Sequence, residues 1–161
     1  MGRTDNAVVI AAPLDIVWET LNEIENWPNL FSEYASAEIL ERHGDTVVFR
    51  LTTHPDEEHD GRVWTWISER TMDPTTYSTA SRRIETGPFE FMDIAWSFEP
   101  VENGTRVRWV QTFAMKPDAP ADDAQAEEYL NRNTRVQMDT IKSRLEAAVA
   151  HTDDRRVFPA P

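Results

Sequence analysis

The chain has 161 residues, with 29 Asp and Glu against 16 Lys and Arg for a formal net charge of −13, no cysteine and six tryptophans. That length suits one domain with a single core, and the acidity argues against nucleic acid or an anionic membrane as a partner. Without cysteine there is neither a disulfide scaffold nor a thiolate metal site, which fits a reducing cytosol.

The opening "MGRTDNAVVIAAP" lacks the apolar core of a signal peptide, and no apolar run is long enough to span a bilayer, so the chain reads as soluble and cytoplasmic. Ala7 to Ala11 reads as a strand ending before Pro13, after which Leu14, Val17, Trp18 and Leu21 recur at helical spacing. Pro28 in "ENWPNLF" is expected to break that helix, with a short second helix or turn from Ile24 to Phe31.

From Tyr34 to Met115 the chain reads as successive strands separated by turn signals: His43-Gly44-Asp45, "HPDEEHDG", Asp73-Pro74, Gly87-Pro88 and Asn103-Gly104. Short connections imply an antiparallel meander. In the last two strands Met92, Ile94, Trp96 and Phe98 share one face, as do Val107, Trp109, Gln111 and Phe113. The opposite faces are polar.

"KPDAPADD" opens a long helix predicted from about Asp122 to Ala150, with acidic residues near its positive end and Lys142 and Arg144 near its negative end. Leu130, Thr134, Met138, Ile141, Leu145 and Val149 form its apolar stripe. Residues 1–150 are expected to form one domain and residues 151–161 a flexible tail.

The order strand, helix, short helix, six strands, long helix is that of an α+β helix-grip fold. A curved seven-stranded antiparallel sheet wraps a C-terminal helix, and a cavity lies between them. Alternation along "GRVWTWISER" places Arg62, Trp64, Trp66, Ser68 and Arg70 on one face. Facing inward with Trp96, Trp109, Gln111 and Phe113, they would make an aromatic wall with embedded polar groups.

A guanidinium there needs a carbonyl, an acid or water as partner; alternatively Arg70 reaches past the strand end to a surface carboxylate. Tyr34 could relay a proton at the cavity mouth or be a tyrosine with one wet end. Asn133 and Gln137, one turn apart on the long helix, could floor the cavity or be solvated flank residues. His54 and His59 fit no standard metal-ligand spacing, and no nucleophile elbow, phosphate loop or dinucleotide fingerprint is present, so no metal and no cofactor is assigned.

The segments "RTDNAVVIAAPLDIVWETLNEIENWPNLFSEYASAEIL", "GRVWTWISER", "RRIETGPFEFM", "RWVQTFAMKPDAP" and "NRNTRVQMDTIKSRLE" together resemble the single-domain aromatase/cyclases of bacterial type II polyketide pathways, tetracenomycin and spore-pigment cyclases above all. The resemblance runs in order from about Arg3 to Ala150. It implies a START and Bet v 1 type fold and a cofactor-free enzyme of aromatic polyketide and antibiotic biosynthesis. Such an enzyme acts on a linear poly-β-ketone held by an acyl carrier protein, with a ketosynthase as a further partner, and closes the first ring by aldol condensation and dehydration.

By resemblance, the catalytic arginine and tyrosine fall on Arg70 and Tyr34 and a pocket serine on Ser68. Wall residues fall on Trp27, Phe31, Trp64, Trp66, Met92 and Trp96, a polar pocket position on Gln111, and a basic residue toward the entrance on Arg83. Gln111 and Gln137 stand where relatives closing a different ring carry a histidine and a carboxylate, which implies closure between carbons 9 and 14. Arg82, Arg83 and Arg132 are candidates for docking an acidic carrier protein. The alternative from another class is a non-catalytic carrier of a hydrophobic ligand on the same fold.

Overall fold

The computed structural model describes the backbone of residues 1–157 and the side chains of residues 1–150. The elements are β1 (Gly2–Ile10), α1 (Leu14–Leu21), a 3-10 turn at Ile24–Asn26, α2 (Trp27–Leu30), β2 (Tyr34–His43), β3 (Thr46–Thr53), β4 (Thr65–Asp73), β5 (Ser78–Arg83), β6 (Phe89–Val101), β7 (Gly104–Met115) and α3 (Asp123–Val157). A second 3-10 turn at Glu57–His59 lies in the loop before β4.

The seven strands form one antiparallel sheet in the order β1-β7-β6-β5-β4-β3-β2. β2 to β7 are the expected meander. β1 closes the far side by pairing with β7, from Gly2 opposite Phe113 to Ile10 opposite Thr105. β1 and β2 are therefore opposite edges, and the α1–α2 segment crosses the width of the sheet between them. Register shifts in β2 and β6 bend those strands.

Alternation settles which face is inside. Met92, Trp96, Phe98, Val107, Trp109, Gln111 and Phe113 are buried, while Asp93, Ser97, Glu99, Arg106 and Arg108 are exposed. The hairpin joining β6 to β7 turns on Gly104 at φ +142°, where an added Cβ would lie 2.0 Å from the Ile10 carbonyl oxygen. Only glycine lets the turn approach the end of β1 so closely.

α3 packs against β1, β7 and α2. Thr134, Met138, Ile141 and Leu145 of its predicted stripe are buried. Lys142 Nζ donates to the Val9 carbonyl at 2.8 Å, and Asn6 Nδ2 to Asn131 Oδ1 at 2.8 Å, tying the helix to the β1 edge. That placement leaves the concave face of β4 to β6 uncovered by the helix, and the cavity forms there.

Two helix ends differ from the sequence reading. α1 ends at Leu21, well before Pro28, and Pro28 instead sits in the first turn of α2, where its missing N–H has no helical acceptor to lose. α3 runs on to Val157 because no glycine or proline follows Ala150 until Pro159. The end of the expected tail, residues 158–161, lies outside the described residues.

Candidate functional site

The cavity is lined by Trp27 and Phe31 from α2 and its end, Tyr34 from the start of β2, Trp66, Ser68 and Arg70 from β4, Arg83 from β5, Met92 and Trp96 from β6, and Trp109 and Gln111 from β7. Its free space is about 70 Å³, well below the ~300–1,000 Å³ of a small-molecule pocket. The rings themselves fill it. Trp27 and Trp96 stack at 5.9 Å between centroids, Phe31 lies 5.0 Å from Trp27, and Trp96 lies 4.6 Å from Trp109. A ligand of any length enters only by turning some of these rings aside.

Arg70 does face inward. It is 1% exposed, and its guanidinium carbon lies 4.4 Å from the Trp96 ring and 5.3 Å from the Trp27 ring. Its Nε and Nη2 both donate to Asn22 Oδ1, at 3.3 and 3.0 Å. Burial pulls its pKa down to about 9, opposed by nearby Tyr34.

Tyr34 is buried where α2 gives way to β2, stacked at 6.1 Å on Trp27 and edge-on to Trp66. Its hydroxyl donates to the Glu33 carboxylate, and burial, reinforced by that carboxylate, pushes the phenol well above its usual range. Glu33 also accepts from Asn133 Nδ2 at 3.0 Å. Burial raises its carboxyl pKa, against the hydrogen bonds from Asn133 and Tyr34 and the charge of Arg83. Arg83 is half-buried between Trp66 and Phe89, its guanidinium carbon 4.1 and 4.8 Å from the two rings, and burial lowers its pKa to about 10.

The polar groups left over inside are mostly donors. Gln111 Oε1 is spent on the hydroxyls of Thr4 and Thr134, both at 2.8 Å, so the amide nitrogen is what Gln111 has to offer. The indole N–H groups of Trp96 and Trp109 are buried with no acceptor among the described residues. Among the described residues Arg70 Nη1 and the whole Arg83 guanidinium have no hydrogen-bond acceptor. Ser68, Ser81 and Tyr34 supply hydroxyls that can act either way.

Four expected site residues lie elsewhere. Trp64 precedes β4, whose ladder with β3 begins at Thr65, and its ring packs under the Arg62 guanidinium at 5.1 Å rather than on the wall. Phe113 is fully buried one step past the cavity, in a cluster with Phe89 and Met92, because β7 carries it beyond Gln111 toward the Gly2 end of β1. Asn133 and Gln137 are neither cavity floor nor solvated flank. Asn133 holds Glu33, while Gln137 accepts from the Ser32 N–H and donates to Ser32 Oγ, both at 2.9 Å, so the helix grips the segment that delivers Tyr34.

The docking candidates separate too. Arg82 is adjacent to Arg83 on β5 and so faces the outer side, 3.4 Å from Glu69, while Arg132 is exposed beside the Tyr129 ring. Among the described residues no group of three or more His, Cys, Asp or Glu is placed to hold a metal ion. No described helix is long and apolar enough to cross a membrane.

Asn22 and Glu33 were missed from sequence. Asn22 follows α1 and reads as an ordinary helix end, while Glu33 sits in "SEY" as one acidic residue among many. Neither carries a local signal, because both partners come from distant strands or helices.

The chain is similar to known proteins in sequence and fold. The sequence profile of a family described as polyketide cyclase / dehydrase and lipid transport matches residues 1–146. A Streptomyces cyaneus protein named as a candidate polyketide cyclase is 54% identical over 145 residues, 90% of this chain and 94% of that protein. The granaticin polyketide synthase bifunctional cyclase/dehydratase of Streptomyces violaceoruber is 27% identical over 158 residues, 97% of this chain but 47% of that one. The crystal structure of the aromatase/cyclase Zhui, from a Streptomyces species, has the same fold, with a TM-score of 0.81 over 98% of both chains at 22% identity.

Proposed function

Because the chain belongs to the polyketide cyclase / dehydrase and lipid transport family, we propose that it is an enzyme that closes and aromatises the first ring of a linear poly-β-ketone. The observation that carries this reading is the cavity's surplus of donors. Among the described residues Arg70 Nη1, Arg83, the Gln111 amide nitrogen and the two indole N–H groups have no acceptor of their own. A chain bearing a carbonyl on every second carbon, with no N–H or O–H in its keto form, is the complement of such a wall.

The chemistry asks little more of the protein than placement and charge. A methylene between two carbonyls loses a proton readily, and its electron pair attacks a ketone carbon further along the folded chain. A C–C bond forms as the C=O π bond breaks, leaving an alkoxide that takes a proton. Loss of that hydroxyl with a neighbouring hydrogen as water, followed by enolisation, gives the aromatic ring.

Arg70 stabilises the enolate and alkoxide oxygens, and its burial among indoles strengthens that attraction. Tyr34, kept neutral by its surroundings, supplies and recovers a proton with Glu33 behind it. Trp27, Phe31, Trp66, Met92 and Trp96 limit where the chain bends. The resemblance to tetracenomycin-type cyclases, with Gln111 on the wall in place of a basic histidine, supports closure between carbons 9 and 14. The substrate would arrive on an acyl carrier protein from a ketosynthase, past half-buried Arg83 at the mouth.

The test is a minimal polyketide synthase reconstituted with this protein or its Arg70→Met variant. The parent should convert the shunt mixture to one ring-closed aromatic product, and the variant should leave the mixture as it is. If the parent binds a 1,3-diketone stoichiometrically yet leaves the shunt products unchanged, the protein is a carrier and the reading fails.

A further inference from the structure

A guanidinium buried to 1% exposure normally has a carboxylate beside it. Among the described residues Arg70 has none within ion-pair distance, and both of its hydrogen bonds go to one neutral oxygen, Oδ1 of Asn22. The remaining faces of the cation lie against Trp96 and Trp27. We propose that Asn22 is a positioning residue: it fixes Arg70 through a neutral acceptor, so that the full positive charge stays available to an oxyanion in the cavity. This rests on the reading of the cavity given above.

The orientation of Asn22 is fixed from its other end. It follows the last turn of α1, where its backbone N–H reaches the Trp18 and Glu19 carbonyls at 3.2 and 3.3 Å, and its Nδ2 donates to the Trp18 carbonyl at 2.9 Å. With the amide nitrogen spent on a carbonyl, the oxygen must be the atom turned to the guanidinium. Helix α1 thus holds one oxygen at a set place, and that oxygen holds the Arg70 fork.

An amide and a carboxylate have nearly the same shape here but opposite consequences. An aspartate at this position would pair with Arg70 at close range in surroundings of low polarity, though its second oxygen would face the Trp18 carbonyl to which Nδ2 now donates. It would also cancel the field that an enolate or alkoxide needs. An asparagine orients the cation and leaves its charge standing. The nearest raised-pKa carboxylate, Glu33, acts on Tyr34 and Arg83 instead.

The test compares parent, Asn22→Asp, Asn22→Ala and Arg70→Met by thermal unfolding, by ring closure in the reconstituted synthase, and by the ultraviolet spectrum of bound benzoylacetone, whose enolate absorbs to the red of its enol. The parent should draw bound benzoylacetone toward its enolate. Asn22→Asp should fold, still bind the diketone, lose the enolate band and fall at least about 100-fold in ring closure. Asn22→Ala should melt lower and spread its products over several shunt compounds, since an unpinned guanidinium no longer selects one oxygen.

If Asn22→Asp closes rings as the parent does, or keeps the enolate band, the inference is overturned. Should that variant not fold, unchanged product specificity in Asn22→Ala overturns it equally. Arg70→Met separates the two levels: if it retains parental ring closure, the reading of the cavity falls, whereas its failure beside an active Asn22→Asp removes only the role given to Asn22.

Discussion

The guanidinium of Arg70 lies flat enough against Trp96 to bring its central carbon within 4.4 Å of the ring, while its hydrogen bonds end on an amide. A cation so placed is held by aromatic faces and one neutral dipole. It is poorly solvated, and its depressed pKa is the sign of that cost.

Arg70→Met should therefore fold at least as stably as the parent. Replacing a buried charge by an apolar side chain of similar length removes the desolvation penalty of a cation that has no carboxylate partner, which offsets the loss of its bonds to Asn22. Thermal denaturation near neutral pH checks it. A large loss of stability would mean that the cation is better compensated than Asn22 alone provides.

Glu33 makes stability depend on pH. A carboxyl whose folded pKa is raised binds more protons when folded, so its contribution is whole below the unfolded value of ~4.3 and is lost as pH rises through the folded value. Glu33→Gln cannot titrate. The melting temperature of Glu33→Gln relative to the parent should become more favourable as pH rises from about 4 through the folded value and then level off, and a difference flat in pH would show that Glu33 titrates as it does unfolded.

Tyr34→Phe removes the phenol but leaves the ring on Trp27. Ring closure should fall by about tenfold, below the ~10²–10⁴ typical of general acid-base groups, because water can take over the proton. The raised pKa of the phenol means that the parent should show no loss of activity from phenolate formation in mildly alkaline buffer. Initial rates across pH, with circular dichroism to verify the fold, measure both.

Trp109→Phe deletes an indole N–H that has no acceptor among the described residues. A neutral hydrogen bond to ligand is worth about 0.5–1.5 kcal/mol, so benzoylacetone affinity should drop roughly 3- to 10-fold. No buried protein acceptor is orphaned by the change. Unaltered affinity, read from tryptophan quenching, would mean that the N–H never meets the ligand.

The fold was legible because its two regular signals are local. Period-two alternation in β6 and β7 and the stripe from Leu130 to Val149 each follow from one element's own geometry. Inward-facing Arg70 was legible from its place in the row with Trp66 and Ser68, and its company with Trp96 and Gln111 needed only the meander. Trp64 failed the same alternation because the row outruns the strand, a limit set by where β3 stops pairing.

The partners were not legible, since Arg70 and Asn22 are 48 residues apart and Glu33 and Asn133 are 100 apart. Such pairs depend on how α1 and α3 lie over the sheet, which no periodicity encodes. Nor could composition say that four of the six tryptophans would crowd the cavity they line. Whether rings stack into a space or stand around it depends on the bend of the sheet to within an ångström or so.

The first strand of this chain has no neighbour but the last one, with Gly2 opposite Phe113. A nascent chain can build the β2 to β6 hairpins as they emerge, yet β1 must wait, unpaired, until β7 is made. The closing of such a distant loop is slow compared with hairpin formation. β7 also brings Trp109 and Gln111 to the wall, and β1 anchors α3 through Val9 and Asn6. Assembly of the site thus waits on β7, so the wall that β4 to β6 begin is completed only once the two edges of the chain's order have met.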